Sequence, residues 1–287
     1  MLASTAPPPV RWARRSVRAG ARRAEGLGRF SQFSGRVLGH AVIDVVLRLR
    51  FRKTVLRHIS DTVVGAGAVV IGGGMVFVIG AMALAVGATV GVQAVAGLSQ
   101  LGAESYIGIV GALANTREIT PLIAGVALSA QVGSSFTAEI GAMRISEEID
   151  ALEVMSIPSL VYLVSTRIVA LVAALIPLYL VALFTSFFGT RFVTTVLFGA
   201  SPGLYDYYFR LYLPPIDIFY SVLKVAVFAI EVGLIHGYFG YHASGGPAGV
   251  GRAVGVAIRI TIVTVVVTNL ILSYVFWGTT TTVSLTG

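Results

Sequence analysis

No charged residue occurs between Asp61 and Glu104, a stretch of 42 positions dominated by Val, Ala, Gly, Ile and Met. A helix crossing the hydrocarbon core of a bilayer needs about 20 apolar residues, so this stretch holds at least one span. It is long enough for a tight hairpin of two spans, or for one span followed by an uncharged segment. Apolar residues are densest over 62–86, whereas Gly87 to Ala103 brings in Gln93, Ser99, Gln100 and four glycines. That pattern favours one span at 62–86 followed by a polar-tolerant connector. The whole chain agrees with a membrane setting. Its hydrophobic fraction is 56% and its charged fraction 12%, about half the charge of an ordinary soluble domain, which is too little to cover a water-exposed surface.

Four further spans follow from the same argument. The second, 105–137, is interrupted by Asn115-Thr116-Arg117-Glu118 and then by Pro121, whose ring removes a backbone donor and kinks a helix. The third is 160–188. A loop at 189–214 carries Tyr205, Tyr207, Tyr208, Phe209 and Tyr212, residues that favour the headgroup level. The fourth span is 216–239, and a Gly-rich turn at 241–252 leads into the fifth at 254–277. The predicted class is an all-α polytopic membrane protein with about five transmembrane helices, spanning residues 61–287 as one transmembrane domain.

Charge sets the expected orientation. Residues 1–61 hold 13 of the 21 Lys and Arg against three acids, and the remainder holds 8 bases against 10 acids. The basicity therefore belongs to one end, as a flank facing anionic lipid, and not to a nucleic-acid surface. Residues 1–29 read as a flexible basic tail. Residues 30–60 read as an amphipathic region, with Phe30, Phe33, Val37, Val42, Val45, Val46 and Leu49 at near-helical spacing among arginines, suited to the membrane interface or to packing against the rest of the protein. The positive-inside rule places the N-terminus in the cytoplasm, and five spans then place the C-terminus outside the cytoplasmic membrane.

Cysteine is absent, the four histidines form no metal-binding pattern, and neither of the two lysines, Lys53 and Lys224, follows a phosphate-binding glycine loop. These features argue against thiolate chemistry, metal catalysis and nucleotide hydrolysis by this chain. One segment changes character completely. Over 139–157, Glu139, Arg144, Glu147, Glu148, Asp150 and Glu153 interleave with Ile140, Met143, Ile149, Leu152, Val154 and Met155, which predicts a short acidic-apolar helix outside the bilayer core.

The run Ala138-Glu-Ile-Gly-Ala-Met-Arg-Ile-Ser-Glu-Glu-Ile-Asp-Ala-Leu-Glu-Val-Met155, with the Arg117-Glu-Ile-Thr-Pro121 motif and the Gly240 to Ala253 turn, resembles the MlaE/YrbE permeases. These are the membrane subunits of Mla- and Mce-type ABC lipid transporters. The likeness covers roughly residues 45–280. The Gly203-Leu-Tyr-Asp-Tyr-Tyr-Phe209 loop and the Leu285-Thr-Gly287 end look like the actinobacterial YrbE proteins that occur as pairs, here the B-type chain.

The resemblance implies a transmembrane permease subunit that moves lipids or other hydrophobic molecules (fatty acid, phospholipid or sterol), in the import direction. It implies no catalytic residue, metal or cofactor on this chain. ATP and Mg would sit on a separate ABC ATPase of the MceG/MlaF kind. A second YrbE-like permease chain and Mce lipid-binding proteins complete the expected partners. The 139–155 run would be the coupling helix that docks into the ATPase, with Glu139, Arg144, Glu147, Glu148, Asp150 and Glu153 as candidates for the docking face; a merely solvated face with local ion pairs is the plainer reading of the same charges.

For the lipid pathway the candidates are Met75, Phe77 and Met82 on the first span, with Leu84 beside them, Arg117 and Glu118 on the second, and Lys224 and Glu231 on the fourth. Arg117 and Glu118 could equally form a pair that satisfies itself between helices. Lys224 and Glu231 are seven residues apart, two turns along one helix face. Two functions of other classes use the same residues differently. An ion-gradient-driven transporter would make Arg117, Glu118, Lys224 and Glu231 its relay, and a non-transporting anchor for Mce proteins would need none of them.

Overall fold

The computed structural model describes residues 25–63 and 74–278. Most of the expected tail, and the 64–73 part of the first expected span, lie outside these residues. Every long element among them is a helix. The first, α1, covers 25–40 and continues as a π-helical turn, Ala41–Leu47; α2 is Arg52–Val63. Five long apolar helices follow: α3 (Gly74–Ser99), α4 (Glu104–Ile145), α6 (Val161–Leu197), α8 (Pro215–Tyr241) and α9 (Gly246–Trp277). Each of these five is long and apolar enough to cross a membrane. Two short helices lie between them, α5 (Glu148–Val154) and α7 (Pro202–Leu211).

The expected spans are present, but their limits differ. The segment 87–103, read as a connector, is helical to Ser99. Its glycines are contact points rather than breaks. A Cβ on Gly87 would lie 2.1 Å from the Ser186 carbonyl oxygen, and one on Gly189 would lie 2.7 Å from the Leu84 oxygen. The backbones of α3 and α6 thus touch along a small-residue seam, as membrane helices do where lipid gives no hydrophobic drive to association. Thr190 Oγ1 donates across it to the Gly87 oxygen at 2.8 Å and accepts from Asn115 Nδ2 at 2.8 Å, which ties α3, α4 and α6 together.

The loop expected at 189–214 is also mostly helix. α6 runs on to Leu197, and α7 folds back so that the ring and backbone of Tyr205 rest on Gly108 and Gly111 of α4. Arg191 grips Asp206 through two hydrogen bonds of 2.8 and 2.9 Å. This donation holds the Asp206 carboxyl below its usual range. The Gly-rich turn shrinks to the few residues between Tyr241 and Gly246, because α9 begins within the glycines.

The main core joins Met75, Ile79 and Ala83 of α3 to Leu128, Leu175, Tyr179, Phe228, Val232 and Val265. A second core lies at the α5 end of the bundle. There Phe33 and Val37 of α1 pack on Phe136, Ile140, Leu163, Val164 and Ile168, with Ile149 of α5. The 30–60 region is therefore two helices, broken where Leu49 takes a positive φ of 50°. One face of α1 is packed, while Val42, Ile43, Val46 and Leu47 on the other remain exposed. The packing option is thus met on one face.

Candidate functional site

The polar site grows out of one proline. Pro121 has no N–H, so it cannot supply the carbonyls four and five residues back, those of Arg117 and Thr116. The helix relaxes into a π turn, Asn115–Ile119, closed by the Thr120 N–H donating to the Asn115 oxygen. Two side chains of α8 fill the vacant acceptor positions. Ser221 Oγ donates to the Thr116 oxygen at 2.6 Å and Lys224 Nζ donates to the Arg117 oxygen at 2.6 Å. Proline inside a membrane helix is tolerated where neighbours re-satisfy the backbone in this way. Pro121 therefore does not end the helix, and α4 continues to Ile145.

The same stretch turns its charges toward α8 and α9. Arg117 Nη2 lies 2.7 Å from Asp217 Oδ2, and its Nε donates to the same oxygen at 2.8 Å. Trp277 Nε1 donates to Asp217 Oδ1 at 2.8 Å. Both oxygens of this fully buried carboxylate are therefore held. The Trp277 ring also lies 5.3 Å from the Arg117 guanidinium carbon and 5.4 Å from Lys224 Nζ, within cation–π range. Glu118 accepts from Asn269 Nδ2 at 2.7 Å and lies 3.8 Å from Lys224 Nζ, which also donates to Ser273 Oγ at 2.7 Å.

Arg117, Glu118 and Lys224 are thus brought together, with partners on α8 and α9. Arg117 and Glu118 do not satisfy each other. Glu231 is not part of the group: Thr268 Oγ1 donates to its Oε1 at 2.6 Å. Asp217, Ser221, Asn269, Ser273 and Trp277 were missed in the sequence. Asp217 carried a usable signal, since it is an acid in the first turn of an apolar span and needs a cation.

A separate feature lies on another side of α4. A largely apolar cavity of about 670 Å3 is lined by Val86, Thr89, Val90, Gln93, Ala94, Gly97 and Leu98 of α3, by Leu101 just past its end, and by Val110, Ala114 and Ile119 of α4. None of Met75, Phe77, Met82, Arg117, Glu118, Lys224 or Glu231 lines it. Met75 is buried in the main core and borders another cavity near the α5 end. Phe77 is 63% exposed on the outside of α3, and Met82 packs against the main core. The α3 side of this cavity is made by residues further along the helix, from Val86 to Leu98.

The acidic run 139–157 is not one helix. Its first part is the end of α4, and the chain breaks at Glu147, where φ is +61°. α5 follows, and Ser156 with φ +59° closes it. Glu139 belongs to α4 and pairs at 2.7 Å with Arg167 of α6. Arg144 ends α4 and reaches Asp150 at 2.8 Å. Glu153 turns back to accept from Ser159 Oγ at 2.8 Å and from Tyr241. Buried Ile149 anchors α5, while Glu147 and Glu148 at its start and Val154 and Met155 at its end stand exposed, Val154 at 86%.

The family model for the permease MlaE matches residues 64–275. A probable ABC transporter permease protein of Rickettsia bellii (strain RML369-C) is 32% identical over 190 residues, covering 66% of this chain and 73% of that protein. A probable ABC transporter permease protein of Synechocystis sp. is 31% identical over 179 residues, covering 62% and 68%. The chloroplastic protein TRIGALACTOSYLDIACYLGLYCEROL 1 of Arabidopsis thaliana is 30% identical over 186 residues, covering 65% of this chain and 53% of that protein.

Proposed function

Since this chain belongs to the MlaE permease family, we propose that it is the membrane-spanning subunit of an ABC transporter for lipids or other hydrophobic molecules, driven by a separate ATPase. The observation that carries the cargo class is the apolar cavity between α3 and α4. Its volume of about 670 Å3 falls within the roughly 300–1,000 Å3 of small-ligand sites. Its wall has the chemistry of an acyl-chain site. One relative bears the name of a diacyl glycolipid, which supports an amphiphilic cargo. In the proposed orientation the basic N-terminal end and α5 face the cytoplasm, the cavity lies toward the outer side, and transport is inward. A second permease chain and Mce lipid-binding proteins are the proposed neighbours.

Filling the cavity tests this reading. A Cβ on Gly97 would meet no atom within 4 Å, so Gly97→Trp projects into the cavity without disturbing the α3–α6 seam. The variant is expected to fold and to co-purify with its ATPase, yet to lose about tenfold or more of lipid transfer, the loss of about 1.4 kcal/mol of binding. Wild-type transfer by a folded Gly97→Trp protein overturns the cavity as cargo site.

The exposed side of α5 supports ATPase docking. Ile149 anchors the helix, Glu147 and Glu148 stand exposed at its start and Val154 and Met155 at its end, so a push on the exposed side of α5 would pass into α4. The double substitution Glu147→Lys/Glu148→Lys is expected to weaken ATPase co-purification at least several-fold while leaving the melting temperature unchanged, since both side chains are exposed. Undiminished association removes these two residues from the docking face. The ion-gradient reading is the less supported one, because its charges do not form a chain: Arg117 is held by Asp217, Lys224 lies by Glu118, and Glu231 stands apart, bonded to Thr268.

A further inference from the structure

At the α5 end, α2 lies beside α4 and α6 and encloses a cavity of about 390 Å3. Lys53 and Arg57 of α2, Arg167 and Tyr162 of α6, and Glu139 of α4 line it, with His58 at its back. Three permanent cations thus face one carboxylate. Burial, and then the neighbouring Arg167 charge, push the His58 imidazole down to about 4, so it stays neutral and keeps one N–H to donate.

Arg167 is the built part of this site. Its side chain is 9% exposed, one end pairs with Glu139 at 2.7 Å, and its guanidinium carbon lies 5.0 Å from the centre of the Phe136 ring. A guanidinium is a planar array of donors matched to carboxylate and phosphate oxygens, and Glu139 is paired with its Nη2. Glu139 takes only one edge of the fork, and its own side chain is 58% exposed. The neighbouring cavity shares Arg167, His58 and Glu139 and adds the carboxylate of Asp61; the cationic excess therefore lies on the Lys53–Arg57 side.

The level of the site names its ligand. Arg167 is six positions into α6 from its start at Val161, about 9 Å at a helical rise of 1.5 Å per residue. Leu56 of α2 and Val42, Ile43, Val46 and Leu47 of α1 are exposed apolar side chains at the same end, placed to enter the acyl boundary. We propose that this cavity binds the phosphate of an anionic phospholipid headgroup, with Arg167, Arg57 and Lys53 as its cationic ligands. The lipid would pin α2 to α4 and α6. The site is separate from the α3–α4 cavity and does not depend on what that cavity carries.

The full-length chain in detergent, incubated with dioleoyl phosphatidic acid and analysed by native mass spectrometry, tests this. Diacylglycerol of the same acyl chains and inorganic phosphate are the comparison probes. Phosphatidic acid is expected to stay bound and diacylglycerol to be lost. Lys53→Gln/Arg57→Gln changes two exposed positions and is expected to weaken retention about tenfold or more, the effect of two basic residues at a lipid surface. Arg167→Lys, which keeps the charge and removes the fork, is expected to weaken it as well; the exposed double variant decides the matter if Arg167→Lys does not fold. The Gly97→Trp variant should bind phosphatidic acid normally, which keeps this test distinct from that of the cargo cavity. Equal retention of diacylglycerol, or unchanged retention by the double variant, overturns the site. Protection from heat by inorganic phosphate alone, matching that by phosphatidic acid, overturns the lipid in favour of a free anion.

Discussion

Lys224→Met is expected to melt well below the parent protein, even though methionine nearly matches lysine in length and is at home in a membrane. Lys224 is wholly buried, and its ammonium donates to the Arg117 carbonyl at 2.6 Å and to Ser273 Oγ at 2.7 Å. Methionine supplies neither donor. Ser273 keeps its own bond to the Asn269 oxygen at 2.8 Å. The Arg117 carbonyl loses Lys224 after already losing the N–H that Pro121 cannot offer, and a buried acceptor left bare costs about 1–3 kcal/mol.

Glu118 also loses its cation at 3.8 Å. Breaking a buried ion pair costs about 3–5 kcal/mol, but Glu118 is 43% exposed and retains Asn269, so its share falls well below that range. The total is about 3 kcal/mol, a large part of the roughly 5–15 kcal/mol that holds a typical protein folded. Thermal unfolding in mild detergent measures it. The double variant Lys224→Met/Glu118→Gln should recover the part due to the stranded carboxylate and not the part due to the carbonyl, a separation that a double-mutant cycle isolates. A Lys224→Met protein that melts with the parent and fails only in transport would instead favour a relay role for this lysine.

How much of this arrangement could be read beforehand depends on which interactions are local. The five spans were legible because lipid forbids unpaired charge, whereas a chain that must dissolve in water cannot leave a stretch as long as that from Asp61 to Glu104 without any. Their limits were not legible. Glycines at 87 and 91 signal a flexible connector in water, yet between membrane helices they permit contact, and only the position of Ser186 and Thr190 on α6 decides between the two. Arg117 and Glu118 are adjacent in sequence, but consecutive helical positions do not face each other, and their partners lie 100 and more residues away at Asp217, Lys224 and Asn269.

The break inside 139–157 had no local sign. A left-handed residue at a helix end is usually Gly or Asn, and here it is Glu147. The cavity was legible least of all. It is a gap between Val86–Leu101 and Val110–Ile119, set by how two helices splay apart. No charge marks it in the chain, and its polar Gln93 reads as the sign of a connector. Charged residues drew attention to Arg117 and Lys224, whereas this cavity is lined by uncharged residues.

The seam between α3 and α6 gives the second large effect. Gly87→Val is expected to abolish the folded bundle or to lower its melting temperature more than any exposed substitution on α3. The Cβ alone would stand 2.1 Å from the Ser186 oxygen and 2.8 Å from its carbonyl carbon. These are backbone atoms in the middle of α6 and have no rotamer through which to escape. The helices must separate, and separation also breaks the Thr190 bond to the Gly87 oxygen and loosens the Asn115 bond to Thr190. Overpacking of this kind costs about 1–3 kcal/mol and sometimes more, and interhelical hydrogen bonds in membranes add about 0.6 kcal/mol each. Gly80→Val is the matched control. Position 80 lies two turns earlier on the same face, and a Cβ there would meet nothing within 4 Å. It should melt at or slightly above the parent temperature, since glycine inside a helix is less favourable than most residues. The difference between the two variants, measured by thermal unfolding and by the monodisperse fraction in size exclusion, isolates backbone contact from the general effect of adding a side chain. Identical behaviour of the two would mean that α3 and α6 do not meet at Gly87, and the wall that α3 contributes to the apolar cavity would lose its fixed position.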